Sequence, residues 1–206
     1  MRKSAAGAWW DFTVGLEGYT TWMYKDVKGL VTTGVGNLID PVDYAVPLPW
    51  LMADGKLAPP DRVRSAWWTV KNDKTLDGKN GGVQYRRLTK LRLSRQAVEV
   101  LVKRRTLEME AAIRRQPDLA AYDSWPADAQ LGIMSMAWAQ GPDFSRWPKF
   151  RAAVKVNDFT TASKESHLDG NEPRSKAHAA MFLNAAKVVK DRLDPETLIY
   201  VVKAAA

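Results

Sequence analysis

Apolar residues recur at helical spacing through most of the chain and give way to alternation in one short region near the front. In residues 5–16, Trp9, Phe12 and Leu16 share a face, and Gly15 and Gly18 loosen the end, so Glu17 falls at or just past a helix C-terminus. Between 18 and 38 the pattern changes to two short β-prone pieces, 19–24 and 30–35, separated by the turn-forming Asp26-Val27-Lys28-Gly29. Gly34 and Gly36 interrupt the second piece, and a small hairpin following a helix is the simplest account. Further on, Ser94 caps a long helix whose buried stripe is Val98, Leu101, Val102, Met109 and Ile113. The stretch 126–139 is apolar almost all round, which predicts a buried central helix ended by Gly141-Pro142. Shorter helices are expected at 148–156 and 158–166, and a last one at 173–192 with Ala177, Met181, Ala185 and Val188 inward. The class is therefore α+β and mostly helical.

Residues 40–93 interrupt this pattern. Pro41, Pro47, Pro49, Pro59 and Pro60 crowd the first part, 72–82 is polar and glycine-rich, and a short helix over 61–70 carries Trp67 and Trp68. With Tyr44, Trp50, Leu51, Met52 and Val70, the region offers more apolar surface than a solvated loop exposes. It is expected to be a compact extension beside the substrate site, with only 72–82 mobile. The chain then divides as one domain: 1–39 helix and hairpin, 40–93 insert, 94–194 helical lobe and 195–206 tail.

At 206 residues and 46% hydrophobic, the chain can bury a substantial core, which excludes a disordered or a disulfide-stapled scaffold. Zero cysteines remove thiol chemistry, and with His167 and His178 the only histidines, the usual zinc sites lack ligands. No metal or other cofactor is expected. The basic start is followed at once by Trp9, Trp10 and Asp11, with no apolar stretch of signal-peptide or membrane-span length. The expectation is synthesis in the cytoplasm and delivery by another agent to any site beyond it. Nearly all of the net +8 lies in 86–115, where ten Lys/Arg face Glu99, Glu108 and Glu110. Such a patch suits an anionic envelope surface or another polyanion, or is a solvated helix face.

Candidate chemistry sits at the front. Glu17, Asp26 and Thr32 have the spacing E-x8-D-x5-T, with an acid at a helix end, an acid on a hairpin and a hydroxyl six residues later. Glycosidic cleavage needs an acid to protonate the leaving oxygen and a carboxylate opposite it, which stabilises positive charge or activates water. The flanking Tyr24-Lys25-Asp26, Gly29 and Thr32-x-Gly34-x-Gly36 sharpen the pattern, and here the sequence resembles the phage-type lysozymes, the muramidases used as endolysins by tailed phages. The resemblance implies a lysozyme-like fold, a small helix–hairpin lobe with a larger helical lobe. It also implies Glu17 as general acid, Asp26 as electrostatic or base partner, and Thr32 helping to place the attacking water. More weakly, Trp138-Ala139-Gln140-Gly141 is similar to the end of the family's buried helix and Asn171-Glu172-Pro173-Arg174 to its cleft segment, which makes Gln140 and Asn171, with Trp22, candidate substrate-binding residues. The likeness covers roughly 130 residues, leaving out 40–93 and the tail. Asn37 stands where the family commonly has His.

By this resemblance the chain is expected to cleave the MurNAc–GlcNAc bond of bacterial peptidoglycan as a monomer, as a phage endolysin or tail lysin. A secreted antibacterial effector and a non-catalytic wall-binding protein are the alternatives. Lytic transglycosylases also use a single Glu, but Asp26 and Thr32 favour attack by water. A nucleic-acid partner is not expected, since no helix-turn-helix or stacking module is recognisable. Ser166-His167 with Asp169 has the residue types of a hydrolase triad but no nucleophile elbow. His178 reads as packed rather than catalytic. Most of the nine tryptophans read as core, with Trp22, Trp67 and Trp68 the ones that could stack on sugars.

Overall fold

The computed structural model describes residues 1–76 and 82–203; the expectation of mobility for 72–82 falls, at 77–81, outside the described residues. The chain is mostly helical with one small three-stranded antiparallel sheet. It forms two compact units, Glu17–Arg105 and the pair of segments Met1–Leu16 with Thr106–Ala206, and the boundaries fall inside helices α1 (Lys3–Glu17) and α3 (Arg95–Arg114).

The first unit is built on the sheet β1 (Thr20–Lys25), β2 (Val31–Gly34) and β3 (Asn37–Leu38), in that order. The third strand was not foreseen, because two residues carry no readable alternation. Tyr24 pairs with Thr32 and Lys25 with Val31, while an irregularity separates Thr20 from Tyr24. Asp26 closes the β1–β2 turn through its own backbone and side chain: its N–H donates to Leu30 O at 2.9 Å, and its Oδ1 accepts from the N–H groups of Lys28 and Leu30 at 2.8 and 2.9 Å. An aspartate accepting from the backbone two residues on is the Asx turn that suits this residue to the position.

The described residues of 40–93 pack on this sheet through a helix and a 3-10 turn. Helix α2 (Pro60–Asn72) begins with Pro60 in the first turn, where the missing N–H costs nothing, and buries Val63, Trp67 and Val70. The Trp67 indole N–H donates to Ile39 O at 2.8 Å, and Lys71 Nζ reaches Asp40 Oδ2 at 2.6 Å and Gly29 O at 3.0 Å. A buried indole with its donor satisfied cannot stack on a sugar, so Trp67 is core, while Trp68 beside it stays 51% exposed. A 3-10 turn at Val83–Arg87 packs on β1, and Leu93 N–H donates to Thr21 O at 2.8 Å. Ser94 Oγ caps α3 through Ala97 N–H at 3.1 Å, and Val98, Leu101 and Val102 are buried as predicted.

In the second unit, α4 (Ala127–Gln140) is buried from Ala127 through Trp138 and packs against α7 (Glu172–Lys190). Gly132 permits the close approach: a Cβ there would stand 3.2 Å from two ring atoms of Phe182. Helices α5 (Pro148–Lys155) and α6 (Phe159–Glu165) complete the layer, the latter capped by Asp158, whose Oδ1 accepts from Thr161 N–H at 2.9 Å. The first four turns of α1 lie in this unit, with Trp9 edge-on to Trp138 at 5.5 Å and Phe12 edge-on to Tyr200 at 5.8 Å. The segment after α7 is docked as well. Ala127 N–H donates to Pro195 O at 2.9 Å, and the buried Asp128 carboxylate accepts from Ile199 and Tyr200 N–H at 2.8 and 2.9 Å.

Candidate active site

Helix α1 ends on Glu17 because Gly18, at φ +75°, takes the left-handed conformation that stops a helix and turns the chain into β1. Glu17, Asp26 and Thr32 therefore all belong to the unit built on the hairpin. Asp26 holds its turn with Oδ1, which leaves Oδ2 as a further acceptor. Thr32 is buried and its hydroxyl donates to Leu30 O at 3.2 Å, so its remaining capacity is to accept.

In the sequence Tyr24 stands out only as part of the Tyr24-Lys25-Asp26 motif, yet the fold pairs it with Thr32. Directly opposed residues of an antiparallel pair project to one side, so Tyr24 shares a face with Thr32, and Asp26 follows in the turn just past the end of the strand. Its phenol is pushed up to about 12, first by burial and then by the negative charges of Glu17 and Asp26, with the Arg105 cation opposing. Two carboxylates and a guanidinium thus act on one phenol that stays protonated throughout the range in which carboxylates and histidines titrate. Strand alternation is the signal that could have found Tyr24. Arg105 had none, being one cation among many on α3. Its guanidinium donates to Gly36 O, which ties α3 to the β2–β3 turn. In the same turn Asn37 Oδ1 accepts from Val35 N–H at 3.1 Å, so Asn37 is a buried amide holding a turn.

Trp22 is half-buried on β1 with the Arg86 guanidinium 5.8 Å above its ring, so a cation covers the indole face offered for stacking. Gln140 and Asn171 belong to the other unit. Gln140 is exposed at the end of α4 and lines a groove of about 440 Å³ with Arg146, Trp147, His167, Leu168 and Asp169. Asn171 is the N-cap of α7, where its Oδ1 accepts from Arg174 N–H at 3.3 Å. The hydroxyl of Ser166 is buried and donates to Ser163 O at 3.0 Å, while His167 is exposed beside Asp169 at 3.5 Å, so the three residues do not form a relay. His178 is fully buried. Its Nδ1 lies 3.3 Å from Ser166 O, a group that can only accept, which makes Nδ1 the protonated nitrogen and Nε2 the acceptor of the Ser135 hydroxyl at 2.8 Å. Burial holds this imidazole down to about 4.

The basic stretch 86–115 is less uniform than its composition suggests. Arg92 donates to three carbonyls, of Thr89, Leu91 and Arg86, Arg105 is tied to Gly36, and Arg114 pairs with Asp123 at 2.8 Å and lies 5.4 Å over the Tyr122 ring. Arg86, Arg87, Lys90, Lys103 and Arg104 are exposed. Among the described residues no helix is long and apolar enough to cross a membrane, and no group of three or more His, Asp or Glu is disposed to hold a metal ion. No protein-family model matches the chain, and no curated protein matches it.

Proposed function

We propose that this protein is a peptidoglycan hydrolase of the phage-type lysozyme kind, in a lysozyme-like fold, cleaving the β-1,4 bond between N-acetylmuramic acid and N-acetylglucosamine. The observation that carries the reading is the convergence of the Glu17 and Asp26 charges on one buried phenol, Tyr24, whose strand partner is Thr32. Two acids brought together by a helix end and a hairpin turn are what cleavage of a glycosidic bond asks of a protein.

In this reading Glu17 carries the proton and gives it to the bridging oxygen as the bond from the anomeric carbon breaks. Asp26, with Oδ1 fixed by the turn, offers Oδ2 to the developing positive charge or to a proton of the attacking water. Thr32 offers the water an acceptor oxygen, its own hydrogen being committed to Leu30 O. The biological setting proposed is lysis of bacteria as a phage endolysin or tail lysin. The exposed cations of 86–104 would hold the enzyme to the anionic envelope.

Loss of turbidity of outer-membrane-permeabilised cells tests enzyme class and site together. Glu17→Gln should clear at least about 10²-fold more slowly than wild type while keeping its circular dichroism, since a positioned general acid contributes 10²–10⁴-fold. A folded Glu17→Gln that clears as fast as wild type would end the reading. Mass spectrometry of the released fragments should show reducing ends; 1,6-anhydro ends would convert the assignment to a lytic transglycosylase.

A further inference from the structure

Tyr24 is the residue on which the charges of the candidate site act together. It sits near the end of β1, 8% exposed, in register with Thr32 and within reach of the Asp26 charge. A tyrosine so placed usually ends on a hydrogen-bond partner. Among the described residues, none accepts from or donates to the Tyr24 hydroxyl, whereas the buried Tyr85 and Tyr122 hydroxyls reach Leu76 O at 2.8 Å and Glu110 Oε1 at 2.9 Å. The charged groups acting on the Tyr24 phenol are Glu17 at the end of α1, Asp26 at the turn and Arg105 on α3. Of the cations on the other elements packed on β1, Lys71 of α2 is engaged with Asp40 and Gly29 O, Arg64 with Asp43 and Arg86 of the 3-10 turn with Trp22, while Arg62 and Arg87 are exposed.

Donor and acceptor capacities around this hydroxyl are complementary. Thr32 Oγ1 gives its hydrogen to Leu30 O and can only accept further bonds. Asp26 Oδ1 serves the turn, and a carboxylate oxygen accepts only, so Oδ2 is a second acceptor. The phenol, kept neutral, is the donor. Two acceptors and one donor at one end of a hairpin are the partners a bound water needs, since an ordered water makes about three hydrogen bonds.

We propose that the Tyr24 hydroxyl, together with Thr32 and Asp26, positions the water that attacks the sugar. The inference rests on the glycosidase reading and adds a residue to it. The water donates one hydrogen to Thr32 Oγ1 and the other to Asp26 Oδ2, accepts the Tyr24 O–H in one lone pair, and directs the second at the anomeric carbon. As the new carbon–oxygen bond forms, the bond from that carbon to the bridging oxygen breaks. The bridging oxygen takes the Glu17 proton and Asp26 takes a proton of the water. Both carboxyls return to their starting states by exchange with solvent. Tyr24 neither gains nor loses a proton in the cycle; it is a positioning residue.

A double-mutant cycle on kcat tests this with the full chain and purified peptidoglycan, reading the release of reducing ends. Tyr24→Phe removes one oxygen and keeps the ring. Tyr24→Phe and Thr32→Ala should each lower kcat by about 10- to 100-fold, as misplacing a reactant does, with KM and the thermal midpoint close to wild type. Because both hold the same water, the double variant should fall within about threefold of the slower single one, the non-additivity of residues that act as a unit. A Tyr24→Phe as fast as wild type overturns the role, and so do losses that multiply. A Tyr24→Phe that does not fold assigns the hydroxyl to the core and overturns it too. If wild type releases no reducing ends, the glycosidase reading itself falls and this role with it, an outcome distinct from an active enzyme indifferent to Tyr24.

Discussion

At Gly34 a Cβ would stand 2.8 Å from Asn37 Oδ1 and 3.1 Å from Val98 Cγ1, on a backbone whose φ is +66°. Left-handed backbone and a crowded neighbour act together here, so Gly34→Ala should destabilise the protein by about 1–3 kcal/mol. Urea denaturation followed by circular dichroism would read it as a lower midpoint with an unchanged slope. The Thr32-x-Gly34-x-Gly36 pattern signals this site in the sequence, but the reason for it, an amide oxygen folded back over the turn to Val35, does not follow from spacing. Glu17 and Asp26 were legible because their placement depends only on where a helix ends and a hairpin turns. Tyr24 was legible in principle, standing on a strand two residues before the turn residue Asp26. Its pairing with Thr32 depends on register, and the irregularity between Thr20 and Tyr24 is not written in the hydrophobic pattern.

Helices were the readable elements, and α3 shows both the reach and the limit of periodicity. The stripe Val98, Leu101, Val102, Met109 and Ile113 is buried as its spacing requires, yet the same spacing is silent about Arg105, which looks like one more solvated cation. Arg104 is exposed, whereas Arg105 is half-buried and donates to Gly36 O. The two should part company on charge reversal. Arg105→Glu removes a fixed donor and sets an acid against a carbonyl, so its thermal midpoint should drop by a similar amount at low and high salt. Arg104→Glu should leave the midpoint nearly unchanged and weaken binding to intact envelopes only at low salt, because exposed charges are screened over about 10 Å at 0.1 M. Pelleting with cells across a salt series, beside thermal melts of both variants, separates the two effects. In the region 40–93 the apolar residues announced a compact piece, but its anchors are polar and long-range, Lys71 to Asp40 and Leu93 to Thr21, and no local pattern encodes them.

For the molecule as a whole, one buried histidine makes stability depend on pH on the acid side of neutrality. His178 is neutral inside the helical unit, held down to about 4 against 6.5 when unfolded. Below 6.5 the unfolded chain binds a proton that the folded chain refuses, so this residue's contribution is intact above pH 6.5 and is lost progressively as pH falls towards 4. The difference corresponds to about 3 kcal/mol over that window. Denaturant melts at pH 7, 5.5 and 4.5 should show the decline, and His178→Asn, which cannot titrate, should flatten it whatever it costs at neutral pH. The division of the chain into units bears on its biosynthesis. The unit that holds Glu17, Tyr24, Asp26 and Thr32 is one continuous stretch, Glu17–Arg105. The other joins Met1–Leu16 to residues made much later: Trp9 meets Trp138, Phe12 meets Tyr200, and Ser4 Oγ donates to Glu196 O across 192 positions. At roughly 5–20 residues per second, the apolar face of the first helix waits on the order of ten seconds or more for its partners, while the stretch that carries the proposed chemistry is already complete. Until Trp138 and Tyr200 have emerged, the nascent chain carries an amphipathic first segment without its partners, a natural client for a chaperone.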